Sequence, residues 1–294
     1  MTATLERLGA GVYDDIPEDI YHSDPVPGGS LSSTGARLLL QPGGPAKYRW
    51  QADHPAATKK HFEIGSAAHK LVLGRGPELV RIDADEWRTK AVKDEVAAVR
   101  ASGAIPLKPT DWEQVQGMAA AICRHPLASE LFAPDRGEPE KTFIWQDPDT
   151  GVMRRSRLDW VPYRSDGRFV IADYKTAADA SPHAVAKSMA KYGYHCQDAW
   201  YRDAVVAAGL ADDPLFVFIF QEKQPPYLIN PVALDPYDVE QGRDLNRRAL
   251  NVYADCAATG VWPGYGRDDE IAHIILPRWT ASAWDNTNVE VEIQ

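Results

Sequence analysis

Residues 157–176 read RLDWVPYRSDGRFVIADYKT, and this stretch decides the fold. Two β-like runs flank Arg164-Ser165-Asp166-Gly167-Arg168, where Gly167 suits a tight connection. The spacing predicts a hairpin centred on Asp166, which sets Asp159 opposite Asp173. Side chains in that relation lie roughly 4.5–5.5 Å apart at Cβ, and opposed like charges destabilise a sheet unless something positive sits between them. A hard divalent cation with oxygen ligands serves that purpose. Lys175 comes two residues after Asp173 and so shares its face of the strand. Two carboxylates and one ammonium converge on one place. Taken alone, Asp173 and Lys175 read equally well as a surface ion pair.

The sequence on either side supplies the frame. Lys141–Gln146 and Val152–Tyr163 are predicted strands joined by the tight loop Asp147-Pro148-Asp149-Thr150-Gly151. Arg154, Arg155 and Arg157 on the second strand suit either phosphate groups or the balancing of nearby carboxylates. Arg168–Lys175, apolar on both faces through Phe169, Val170 and Ile171, reads as a central strand. After Ser181-Pro182 one helix is predicted to about Ala208, with Gln197 and Tyr201 on one face at i,i+4. Leu215–Gln221 is a buried fourth strand, Tyr227–Leu234 a fifth, and Asp235 caps a final helix to about Ala258.

The first third is helical. Ser32-Ser33-Thr34 offers N-caps to a short helix carrying Arg37, which ends at Gln41-Pro42-Gly43-Gly44. Further helices are predicted from Pro45, over Phe62–Leu73, within 83–100, and from Thr110 to about Phe132 with a break at Pro126. The fold class is therefore α/β, a central mixed sheet flanked by helices with a helical N-terminal subregion. The predicted organisation is an irregular arm over 1–30 and one domain over 31–294. That domain has a mainly helical part (31–133), a sheet core (140–260) and a turn-rich tail (261–294).

Composition narrows the class. The chain has 294 residues, 44% apolar and 25% charged, as soluble globular domains do. Its net charge of −10 argues against a nonspecific nucleic-acid coat. The charge is uneven: residues 36–100 hold 12 basic and 8 acidic side chains, whereas residues 1–35 hold one and six. No secretion signal or membrane-length apolar run is visible, which implies a cytoplasmic protein without membrane contact. Cys123, Cys196 and Cys256 are scattered and odd in number, consistent with a reducing compartment. Walker, HExxH and GxSxG patterns are absent from the sequence.

Asp159 followed by Asp173-Tyr174-Lys175 resembles the PD-(D/E)XK nuclease superfamily. Gln197-Asp198-Ala199-Trp200-Tyr201 is similar to the QxxxY motif of its RecB-like branch, and Gly65-Ser66-Ala67-Ala68-His69 to that branch's GxxxH. Order and spacing resemble the phage recombination exonucleases of the exonuclease VIII (RecE) type. The resemblance implies a restriction-endonuclease-like core in which Asp159 and Asp173 hold Mg²⁺, with Mn²⁺ substituting. The Tyr174 carbonyl and His69 would complete the ligand set. It assigns Lys175 to the water or the phosphorane, and Gln197 and Tyr201 to the scissile strand. It makes Glu140 an additional acid and Ser32, Thr34 and Arg37 the receptor of a terminal 5′ phosphate. Outside the resemblance, His69 reads as a core or solvated histidine, Glu140 as a strand-edge residue and Tyr201 as packing. Ser32 and Thr34 read as plain caps beside a solvated Arg37.

The implied activity is resection of double-stranded DNA ends from 5′ termini, leaving 3′ single strands for a single-strand annealing protein. The implied assembly is a homo-oligomeric ring, in a phage or prophage protein acting inside a bacterial host. Three cysteines cannot furnish the four that hold the iron–sulfur cluster of some RecB-like nucleases, so no cluster is expected. The alternatives are a structure-selective or single-strand-preferring endonuclease of the same fold, a DNA-binding module with a decayed site, and an unrelated metal-dependent hydrolase.

Overall fold

The chain opens with β1 (Gly11–Tyr13), α1 (Glu18–His22) and β2 (Leu31–Ser32). Next come α2 (Ser33–Leu39), α3 (Gly44–Asp53), α4 (Glu63–Leu73), β3 (Leu79–Arg81), α5 (Lys90–Ala101), β4 (Ile105–Leu107), α6 (Pro109–Arg124) and α7 (Pro126–Leu131). The second half holds β5 (Gly137–Gln146), β6 (Met153–Pro162), β7 (Val170–Ala177), α8 (Pro182–Tyr192), α9 (Tyr194–Ala207), β8 (Leu215–Glu222), β9 (Ile229–Val232) and α10 (Pro236–Thr259). This computed structural model describes residues 7–54, 63–163, 167–266, 271, 273–277 and 279–280. The predicted turn centre at Asp166, the helix start at Phe62 and the tail beyond residue 280 lie outside the described residues.

The main sheet runs β1-β5-β6-β7-β8-β9, with β2 added in parallel to β6. Strands β5, β6 and β7 are antiparallel neighbours, β7 and β8 are parallel, and β9 returns antiparallel. A parallel pair needs a long crossover, and α8 with α9 supplies it. The sheet is mixed and flanked by helices, as expected. One core lies between the sheet and α2, α9 and α10, built on Phe143, Leu158, Ile171, Phe216, Phe218, Trp200 and Leu250. A second lies under α4, α6 and α7, built on Trp160, Ala172, Tyr174, Ile219, Ala67, Val115 and Met118. Helix α10 comes so close to α9 that a Cβ at Gly242 would meet the His195 carbonyl oxygen at 2.2 Å. Among the described residues no helix is long and apolar enough to cross a membrane.

Several local expectations change. The arm over 1–30 is not wholly irregular: β1 pairs with β5 through Val12↔Phe143, and α1 packs beside β6, with the Arg157 guanidinium 4.3 Å from the centre of the Tyr21 ring and donating to the Ile16 carbonyl just before the helix (2.7 Å). Three-residue strands such as β1, β3 and β4 are fixed by their tertiary partners and leave no period to read. The single helix expected after Pro182 is two, because Gly193 adopts a left-handed φ of 64° that ends α8 and starts α9. The first strand starts at Gly137 instead of Lys141, and the helix within 83–100 starts at Lys90 behind the Thr89 cap.

The loop between β5 and β6 is tied to α10 by Asp147. Its buried carboxylate accepts from Arg247 Nη1 (2.7 Å) and Nη2 (3.0 Å) and from the Thr150 hydroxyl (2.8 Å). Burial pushes this carboxyl up, but Arg247 and Thr150 outweigh burial and hold it below 3.8. A depressed carboxylate stabilises above its unfolded value and loses that contribution as pH falls through the folded one. Asp147→Asn is expected to cost about 1–3 kcal/mol at pH 7, toward the lower end because Arg247 is partly exposed. Urea melts should show the gap closing below pH 4. A gap that persists unchanged at pH 3 would detach it from the ion pair.

Candidate active site

The hairpin register is the one the spacing predicts: Trp160 pairs with Ala172, which places Asp159 level with Asp173. On the other side, Pro139 pairs with Trp160 and Lys141 with Leu158, so Glu140 is also level with Asp159. Three carboxylates thus stand in a row across β5, β6 and β7. Regular pairing lapses between Glu140 and Asp159, and Glu140 takes a left-handed φ of 54°. That conformation costs a non-glycine residue about 1–3 kcal/mol and is concentrated at functional sites. Leu158 and Trp160, two residues apart, belong to opposite cores. The strand turns over at Asp159, and strict alternation does not hold there.

Each carboxylate is held differently. Asp159 Oδ2 accepts from the Tyr174 backbone N–H (3.0 Å) and faces His69 Nε2 at 3.2 Å. His69 Nδ1 lies 3.6 Å from Glu140 Oε1, so one imidazole bridges two acids. Asp173 is buried; its Oδ1 accepts from Gln197 Nε2 (2.8 Å), and its Oδ2 ion-pairs with Lys175. Beyond the ammonium, that buried Oδ2 has no well-formed hydrogen bond among the described residues.

The charges follow from this packing. Burial, and then Asp159, push Asp173 up to about 6, against the pull of Lys175. Burial also acts to raise Asp159, but His69, Lys175 and the Tyr174 N–H together hold it below 3.8. Burial would lower His69 and Lys175, and their carboxylate partners outweigh it and raise both.

Helix α4 can bring His69 here because it is faced with small residues. Ala67 and Ala68 are fully buried, and a Cβ at Gly65 would meet Thr176 Oγ1 of β7 at 3.4 Å. Gln197 and Tyr201 project from one face of α9, and the Tyr201 ring meets Phe216 edge-on at 5.7 Å. Both line a cleft of about 310 Å³ with Lys175 and Tyr194. Ser33, Thr34 and Arg37 of α2 form its other wall. Ser32 is not in that wall; it caps α2 by accepting from the Gly35 N–H (3.2 Å). Arg37 donates to the carbonyls of Tyr192 (2.7 Å) and Gly193 (3.3 Å) and to Thr34 Oγ1 (3.1 Å).

Two residues escaped the sequence reading. Ser33 places a buried, unpaired hydroxyl in the cleft wall, one residue from the cap. Tyr194 sets its ring 5.4 Å from Lys175 Nζ. Its signal was available, since it precedes Gln197 by three residues on the same helical face. The arginines of β6 are committed within the fold: Arg154 ion-pairs with Asp203 (3.0 Å), Arg155 with Asp24 (2.8 Å), and Arg157 reaches Ile16.

The donor set of hard carboxylate oxygens and one imidazole, with Oδ2 of Asp173 short of donors, fits a divalent cation. Among the described residues no three His, Cys, Asp or Glu side chains form a ready metal cage. Lys175 ion-pairs with Asp173, and the His69 imidazole lies between Asp159 and Glu140.

Residues 45–273 match the family described as a PDDEXK-like domain of unknown function (DUF3799). No curated protein matches the chain in sequence. Among solved structures it is similar to a candidate exonuclease from Eubacterium rectale, at a TM-score of 0.58 and 13% identity over 92% of this chain and 99% of that one. At such identity the likeness shows the fold. The structure of SSO0001 is matched at a TM-score of 0.30 and 12% identity over 69% of this chain and 86% of that one, too weak to carry an argument.

Proposed function

The chain belongs to the PDDEXK-like family, and from that premise we propose that it is a metal-dependent deoxyribonuclease that resects linear duplex DNA from 5′ ends. The family and the fold support a nuclease. Polarity, end preference and a role in phage-type recombination are the further steps of this reading. The observation that carries it is the row Glu140, Asp159 and Asp173, with Lys175 and Gln197 bound to Asp173.

Asp159 and Asp173, with the Tyr174 carbonyl and His69, would hold Mg²⁺ or Mn²⁺, which when bound supplies an activated water, neutralises charge at phosphorus and supports the leaving oxygen. Gln197 fixes Asp173 through Oδ1 and leaves Oδ2 to Lys175. Lys175, gripped by Asp173 and the face of Tyr194, puts a fixed positive charge beside the attacking water and the developing phosphorane charge. Tyr201 bounds the path of the scissile strand, and Glu140 orients His69.

The α2 wall would receive the terminal phosphate through the hydroxyls of Ser33 and Thr34 and through Arg37, with Ser32 securing the helix start. Duplex with 5′-phosphate ends should then be cut faster than duplex with 5′-hydroxyl ends. Arg37→Ala should slow the phosphorylated substrate selectively, by about 10- to 150-fold at fixed salt. Equal slowing of both substrates would confine Arg37 to holding the Tyr192 and Gly193 carbonyls.

The partners in this reading are double-stranded DNA ends, a single-strand annealing protein and further copies of the chain in a ring, in the cytoplasm of a bacterial host. Light scattering that returned a monomer during processive digestion would remove the ring. Duplex labelled at either end tests the function itself. Resection predicts early loss of the 5′ label and retention of the 3′ label, while cutting of a nicked circle at internal sites would turn the reading to an endonuclease.

A further inference from the structure

Three rings lead outward from the sheet beside the cleft. Phe218 of β8 stacks on Tyr194, with centroids 5.5 Å apart and planes at 28°, and Tyr194 lies against Tyr192 at 5.8 Å and 32°. Phe218 is fully buried, Tyr194 is half-buried and lines the cleft, and Tyr192 is 52% exposed. In a continuous helix residues two apart project roughly 200° from each other. The left-handed Gly193 between α8 and α9 brings these two rings together instead. Arg37 fixes the junction by bonding the carbonyls of both Tyr192 and Gly193.

The row of rings starts in the core, passes within 5.4 Å of Lys175 Nζ, and ends on the half-exposed Tyr192, over whose ring Lys191 Nζ lies 5.3 Å from the centre. A rigidly backed aromatic face beside cationic side chains is the form in which proteins hold unpaired bases, since every base has a π-face and a neighbouring phosphate. We propose that Tyr192, backed by Tyr194, is a stacking platform for an unpaired nucleobase of the strand held in the cleft. The proposal rests on the nuclease reading of the same site and adds a substrate feature to it. A base on Tyr192 has left its duplex partner, so the site takes frayed ends in preference to paired ones.

The test uses the full-length protein in metal-free buffer, where no cleavage confuses binding. The probe is a 5′-phosphorylated duplex with a frayed end, carrying 2-aminopurine at each of the first three positions in turn. Wild type and Tyr192→Phe should change the fluorescence at one position, and Tyr192→Leu should not. Tyr192→Leu should weaken binding about 5- to 150-fold, and by less than twofold when that position is abasic. A Leu variant that binds the intact strand like wild type, or loses as much affinity for the abasic strand, overturns the platform. Cleavage in Mg²⁺ is scored separately. A wild type that stacks the base yet never cuts DNA sinks the nuclease reading and leaves the platform standing.

Discussion

Asp173→Asn is expected to abolish Mg²⁺-dependent DNA cleavage, by at least about a thousandfold in kcat, while the protein stays folded and binds DNA. The asparagine side chain fills the same space and can still accept from Gln197, but it carries no charge for a cation. Its effect on stability has a sign that checks the assignment. Burial and Asp159 lift Asp173 in the folded, metal-free protein from 3.8 to about 6. The folded state therefore binds more protons than the unfolded one in that window, and stability falls as pH rises through it. The Asn variant lacks this loss. In metal-free urea melts its stability relative to wild type should rise between pH 4 and pH 6. Cleavage near the wild-type rate would mean that the reacting centre lies elsewhere.

Lys175→Ala is expected to lower kcat by about a hundred- to a thousandfold, with KM and the half-saturating Mg²⁺ concentration changed only a few-fold. The ammonium is held between Asp173 and the Tyr194 ring. Burial works against its charge, and the two aspartates outweigh burial, so it remains charged at neutral pH. A fixed positive group of this kind acts most where negative charge develops, which is the transition state. If the variant instead needed far more Mg²⁺ and kept its kcat at saturation, Lys175 would be a holder of the carboxylates and not a participant.

Much of this arrangement was legible because it rests on short-range rules. Spacing about Asp166 predicts a hairpin register, and the observed pairing of Trp160 with Ala172 puts Asp159 level with Asp173 as that spacing requires. Gln197 and Tyr201 share a helical face by spacing, and Gly65, Ala67 and Ala68 mark a helix able to approach a sheet. What escaped depends on tertiary contact. β1 exists because β5 offers it an edge, and β3 and β4 exist because they pair with each other. The turning-over of β6 at Asp159 depends on the lapse in pairing opposite Glu140, which no alternation rule anticipates. The substitution of Ser33 for Ser32 in the cleft wall follows from the cap geometry of α2, where one residue's shift reverses which hydroxyl is consumed. Gly193 was visible, but a lone glycine within helical pattern is compatible with either a continuous or a broken helix.

The most direct test of the central claim is digestion of end-labelled linear duplex by the wild-type protein in Mg²⁺ and, in parallel, in excess EDTA. The account predicts progressive loss of duplex in Mg²⁺ and none in EDTA. Intact DNA in both, or equal degradation in both, would contradict it.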